Sequence, residues 1–260
     1  MDISWFGKSS VLLRVRTDGT TLLADPHQNV KNQEVKGVLI SNERVDGRKV
    51  PNLNGNTPLI NGPGEFELGS AYIIGMGISH NRSRPTVIPV SSQADTSEND
   101  ESNSESLIDE TDNPDDYTDD SNTLDIPEDI SEDPDASNED GYSTIYLIRA
   151  ENLAVCLVGS IKRSPTARQL SELREAEVMV VPITEEDEGM STNRLAELIR
   201  SIDPRVLVPL NLSKNQTSLN ALIEELGISQ ENIVREQARL TVTDRTLPLD
   251  MRINILTASK

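Results

Sequence analysis

The chain has 260 residues, 35% of them hydrophobic, and a formal net charge of -20, enough apolar content for one large domain or two small ones. The acidity is local: residues 95–140 hold 20 of the 44 acidic groups, no Lys or Arg falls between Arg84 and Arg149, and the remaining 24 acids face 24 Lys and Arg. An acidic segment on a neutral body argues against direct nucleic-acid binding, which needs basic stripes, and no run approaches the roughly 18 apolar residues of a membrane span.

In chain order, Ile3 to Phe6, Val11 to Arg16 and Thr20 to Ala24 read as short strands, with Asp18-Gly19 as a hairpin turn. Asp25-Pro26-His27 closes the third. After a polar loop, Val38-Leu-Ile40 is a continuous apolar run, followed by Ser41, of the kind found in sheets covered on both faces. It runs straight into the polar stretch Asn42-Glu43-Arg44-Val45-Asp46-Gly47, and loops on such strand ends are where binding groups tend to sit. Pro58-Leu-Ile is a further short run. Gly62-Pro-Gly64 then predicts a tight, stiff connection, and Ala71 to Ser79 another strand.

Residues 85–142 are dominated by Ser, Asn, Asp, Glu and Pro. They cannot bury enough apolar surface to offset an ordering entropy of about 1–2 kcal/mol per residue, so disorder is expected. Leu107-Ile108 and Leu124-Asp-Ile126 are isolated apolar islands within it. Order returns with strands at 143–149 and 153–158, so the segment interrupts one domain (1–84 and 143–260) and does not join two. The pattern then alternates. Ser164-Pro165 predicts a helix start, with Leu170 and Leu173 on its apolar face. Val178 to Ile183 and Val206 to Pro209 are buried strands. Leu195, Leu198, Ile199 and Ile202 mark an amphipathic helix ended by Asp203-Pro204, and Leu219, Leu222, Ile223 and Leu226 another closed by Gly227. Arg239 to Thr243 and Met251 to Leu256 are the final strands.

A single cysteine, Cys156, rules out an intramolecular disulfide and suits a reducing compartment. Met1 to Gly7 lacks the basic and apolar regions of a secretion signal, so a cytoplasmic location is expected.

Four stretches carry a resemblance. Ile3-Ser-Trp-Phe-Gly-Lys-Ser-Ser is similar to an opening I-x-W-x-G-H-S-x; Leu23-Ala-Asp-Pro to a T-D-P turn; Gly62-Pro-Gly-Glu-Phe-Glu to G-P-G-E-Y-E; and Ser41-Asn-Glu-Arg-Val-Asp-Gly occupies the frame of S-H-x-H-x-D-H. Taken in chain order they resemble the metallo-β-lactamase superfamily, in its ascorbate-6-phosphate lactonase-like branch, over nearly the whole chain except 85–142. The resemblance implies an α/β fold, a four-layer αββα sandwich with a long acidic insertion. It also implies a zinc hydrolase, yet its ligand positions carry other residues. Lys8, Asn42, Arg44 and Gly47 stand where histidines are expected. Leu157-Val-Gly-Ser160 replaces H-L-G-D, Asn211 replaces the last histidine, and Asp46 alone is retained. Zinc needs at least three nitrogen, sulfur or carboxylate donors, so no metal or other cofactor is expected.

Two functions follow. The first is a metal-free, non-catalytic binding protein on this fold. The alternative is a divergent hydrolase of a lactone, ester or phosphodiester using a carboxylate-based site. Its catalytic candidates are Asp25, Asp46 and His80, with His27 and Glu43 as further donors. Plainer roles also suit these residues: turn capping for Asp25, and loop positions for His27 and His80. Cys156 lies in an apolar strand and reads as a structural thiol. The acidic segment fits two roles, a solvated loop or an electrostatic tether for a basic protein partner. No nucleic acid or membrane partner is expected, and oligomeric state is open.

Overall fold

The computed structural model describes residues 1–27, 34–42, 57–80, 142–184, 189–212 and 215–259. Fourteen strands among them form two sheets. The first contains β1 (Asp2–Trp5), β2 (Val11–Arg14), β3 (Thr21–Ala24), β4 (Gly37–Ile40), β5 (Leu59–Asn61) and β13 (Leu240–Thr241), in the order β13-β1-β2-β3-β4-β5. β1 to β3 are antiparallel; β3, β4 and β5 are parallel. The turn between β2 and β3 forms as expected, with Gly19 at φ 75. The Asp18 carboxylate accepts from Thr20 N–H and its hydroxyl, which holds its pKa well below the usual carboxylate range.

The second sheet holds β6 (Gly64–Leu68), β7 (Ala71–Ser79), β8 (Tyr142–Ala150), β9 (Leu153–Leu157), β10 (Val178–Pro182), β11 (Val206–Leu210), β12 (Ile233–Gln237) and β14 (Arg252–Leu256), in the order β12-β14-β11-β10-β9-β8-β7-β6. Helices α1 (Ala167–Leu173), α2 (Thr192–Ile202) and α3 (Gln216–Leu226) pack on its outer face through Leu173, Leu195, Ile199, Leu219 and Leu222. Strand alternation divides each strand between two cores. In β9, Leu153, Val155 and Leu157 face the first sheet, while Ala154 and Cys156 face the helices. Ile3, Leu13 and Leu39 meet Ile73, Ile148 and Val178 between the sheets, each essentially unexposed and worth about 1.5–3 kcal/mol of burial.

Tyr146 ties the two sheets together. From β8 its hydroxyl lies 2.7 Å from the Ile40 carbonyl and 3.1 Å from that of Ile60, and accepts from the Gly62 N–H. At the opposite end of β8 the Met1 ammonium, fully shielded, donates to the Val242 carbonyl at 2.7 Å and pairs with Glu151 at 2.6 Å. The other Glu151 oxygen accepts from the Arg16 and Thr17 N–H groups.

The two-sheet α/β sandwich is as expected, with five differences. The described helices all cover the eight-stranded sheet, so the second helical layer of an αββα sandwich has no counterpart among the described residues. The stiff Gly-Pro-Gly connection leads directly into a strand, β6. Gly62, at φ 112, makes the bend, and beyond it Phe66 and Leu68 point to the core while Glu65 and Glu67 point to solvent. β12 lacked a strong enough period-two pattern to be read from sequence. Helix α1 starts at Thr166, not Ser164, because Thr166 and Gln169 close a reciprocal capping box. Gln169 is buried, its amide donating to the Gly77 carbonyl. β8 begins at Tyr142, one residue early, opposite Ser79. The remainder of the expected disordered insertion, from 85 to 141, lies outside the described residues. No helix among the described residues is long and apolar enough to cross a membrane.

Candidate functional site

The ends of β3, β4, β7, β9 and β11 and the β1–β2 loop meet at one end of the sandwich. They do so because these strands run the same way into polar loops, and the inter-sheet core holds their last apolar residues. Sequence analysis placed its candidates at these same strand ends.

Asp25 ends β3 at φ 43, a left-handed conformation that aspartate tolerates better than most residues. Its side chain turns inward and is only 8% exposed. One oxygen accepts from the Ser41 N–H at 2.7 Å and the other from the Ser41 hydroxyl. Burial pushes its pKa up to about 6, and the two Ser41 hydrogen bonds limit the rise. Ser41 in turn sits against the β9 loop. A Cβ on Gly159 would fall 2.6 Å from the Ser41 hydroxyl oxygen, so that position requires glycine. The Ser41 carbonyl accepts from Thr144 N–H at 2.7 Å, and Asn42 forms an isolated antiparallel bridge with Ser143.

Ser143 joins three loops. Its hydroxyl donates to the Ser160 carbonyl at 2.9 Å and lies 2.8 Å from His80 Nε2. The single hydroxyl proton is used on Ser160, which makes His80 Nε2 the donor of the second bond. Ser143 is fully buried.

Lys8, at φ 47, contributes its carbonyl, which accepts from Trp5 Nε1 at 2.7 Å and from the Asn211 N–H at 3.1 Å. Asn211, at φ 60, donates its amide to the Ile183 carbonyl, and Asn215 donates to the same carbonyl and to that of Asn211. His27 lies near the Lys8 ammonium. Burial and then that cation push its imidazole pKa below the ordinary value. Leu157 is a core residue, 4% exposed. With Ser9, Asp25, Ser41 and Tyr146 it lines a narrow pocket of about 10 Å³, room for one water at most. Burial also pushes the Tyr146 hydroxyl and the Cys156 thiol up to about 12, which keeps both neutral.

The structure therefore brings together Lys8, Asp25, His27, Asn42, His80, Leu157, Ser160 and Asn211. Arg44, Asp46, Gly47 and Glu43 lie outside the described residues. No three His, Cys, Asp or Glu side chains gather into a metal-binding group among the described residues. Sequence reasoning missed Ser41, Ser143 and Tyr146 as organisers. Their hydroxyls act across sequence separations of 16, 17 and 106 residues, which no local pattern signals.

Residues 2–211 match the family model described as a beta-lactamase superfamily domain. No curated protein matches the chain. Among solved structures, a proposed Zn-dependent hydrolase of the metallo-beta-lactamase superfamily from Thermotoga maritima is similar at 16% identity and a TM-score of 0.62, covering 98% of this chain and 97% of that one. A proposed metal-dependent hydrolase from Parabacteroides distasonis is similar at 11% identity and TM-score 0.56, covering 98% and 93%. Another from Veillonella parvula has 11% identity and TM-score 0.55, covering 93% and 99%. At these identities the likeness is one of fold.

Proposed function

The chain belongs to the beta-lactamase superfamily domain family, and within it we propose that its metal centre is degenerate and that it works by binding, without zinc chemistry. One observation carries this reading: the donor set does not fit zinc. The chain has two histidines and one cysteine in all. Cys156 is buried in β9 among apolar neighbours, and both oxygens of Asp25 are held by Ser41. The positions that the resemblance to the lactonase-like branch assigns to ligands carry Lys8, Asn42, Arg44, Gly47, Leu157, Ser160 and Asn211, with only Asp46 retained. An ammonium, a guanidinium and an aliphatic side chain offer no lone pair to zinc, which needs three or more donors in tight geometry.

Elemental analysis of the chain purified without chelator tests this. We expect zinc, iron and manganese to be far below stoichiometric, and a full metal equivalent per chain overturns the reading. The acidic segment suits an electrostatic tether for a basic protein partner, whose binding would weaken steeply between low and high salt. The lone cysteine suits a cytoplasmic site of action.

A further inference from the structure

The chain contains two Asn-Gly pairs, Asn54-Gly55, outside the described residues, and Asn61-Gly62. An asparagine before glycine loses its side-chain amide most readily, because glycine has no Cβ to hinder its nitrogen. The deprotonated glycine nitrogen attacks the asparagine Cγ. The new N–Cγ bond closes a succinimide ring, and the Cγ–Nδ2 bond breaks to release ammonia. Water then opens the ring at either carbonyl, leaving aspartate or isoaspartate, whose main chain runs through the former side chain. Asn61 is the exposed last residue of β5. Gly62, at φ 112, is a position that favours glycine, so the turn itself fixes the reactive partner.

The fold holds this dipeptide from three directions. β5 pairs with β4, with Ile40 opposite Asn61. The Gly62 N–H, whose nitrogen would be the nucleophile, donates to the Tyr146 hydroxyl at 3.3 Å. That hydroxyl also lies 3.1 Å from the Ile60 carbonyl, on the other side of Asn61. The Gly62 carbonyl is packed against Gly75, where an added Cβ would fall 2.6 Å from its oxygen. Gly75 and Tyr146 are register partners in β7 and β8, so one strand pair grips Gly62 by both its N–H and its carbonyl. Ring closure requires the Gly62 nitrogen to give up its proton and swing toward the Asn61 side chain. A hydrogen bond on that proton opposes the first step, and a carbonyl with no room to move opposes the second.

We propose that Asn61 is a latent deamidation site, kept intact because Tyr146 and Gly75 hold Gly62. This goes beyond the reading of the chain as a binding protein and does not depend on it. The test is incubation of the full chain in mildly alkaline buffer, well below its melting midpoint, followed by peptide mass mapping of Asn61 and Asn54. In the folded parent chain Asn61 should convert at least about tenfold more slowly than in urea, where its rate should match that of Asn54. Tyr146→Phe, shown to be folded by circular dichroism, should speed conversion at Asn61 about tenfold, the factor that one lost hydrogen bond gives in a local opening equilibrium. Ile223→Val trims a buried side chain of α3 beside β12, at the far edge of the eight-stranded sheet from β7 and β8. It costs stability without touching Gly62, so the Asn61 rate should not change. Conversion of Asn61 in the folded parent chain as fast as in urea overturns the proposal without any variant. Equal rates in Tyr146→Phe and the parent chain, or in Tyr146→Phe and Ile223→Val, overturn it as well.

Discussion

The two ends of the sandwich treat buried polar groups in opposite ways. At the end away from the site, the shielded Met1 ammonium has a carboxylate and a carbonyl, and the Glu151 carboxylate has that cation and two backbone N–H donors. At the site end, among the described residues, the buried Asp25 carboxylate has Ser41 and no cation, and the Ser10 hydroxyl and His27 Nδ1 have no partner. The first end is satisfied and contributes stability. The second holds polar groups at a cost, as functional ends of folds commonly do. The comparison teaches where to look for ligands in a chain whose motif residues are altered.

The sharpest way to break it is at the satisfied end. Glu151→Ala leaves a shielded ammonium without its countercharge, so urea unfolding should show a loss of about 3–4 kcal/mol. A loss under about 1 kcal/mol would mean that this end is no better satisfied than the other.

At the site end the expected effect depends on pH. Burial raises the folded pKa of Asp25 from 3.8 to about 6. The stability of the neutral carboxyl is therefore fully present below its ordinary pKa and is lost as pH rises through about 6. That amounts to about 3 kcal/mol at most between pH 4 and 8. Asp25→Asn keeps the shape and removes the charge. It should match the parent chain near pH 4, exceed it at pH 8, and flatten the profile, which melting across pH will show.

Tyr146→Phe probes the link between the two sheets at the site end. It leaves the Ile40 and Ile60 carbonyls without the hydroxyl, and a loss of about 2 kcal/mol is expected. Hydrogen exchange should rise most in β4 and β5, and a uniform rise across the sheets would contradict the local role.

Deleting residues 88–140 should have the smallest effect. β7 and β8 already pair to their ends, Ser79 opposite Tyr142, and shortening a loop changes closure entropy only as about (3/2)RT ln n. The melting midpoint should move by less than about 2 °C; a fall near 10 °C would show that the segment contributes packing.

By itself the sequence determined the order of the elements and the class of the fold. Apolar runs such as Val38-Leu-Ile and Val178 to Val181 can only be strands buried on both faces, and the 3.6-residue repeat of Leu195, Leu198, Ile199 and Ile202 can only be one face of a helix. The resemblance of four short stretches to a known family, and not local pattern, singled out Lys8, Asn42, Leu157, Ser160 and Asn211. Tertiary structure decided how those ends are wired. Asp25 meets Ser41, Ser143 reaches both His80 and Ser160, and Tyr146 spans to Ile40 only after two sheets have packed. β6 and the Thr166 cap were likewise settled by cross-strand pairing and by a reciprocal side-chain bond. Propensity and periodicity are properties of neighbours in the chain. Burial of a carboxylate and the unmet hydrogen bonds of Ser10 and His27 depend on what the fold places around them.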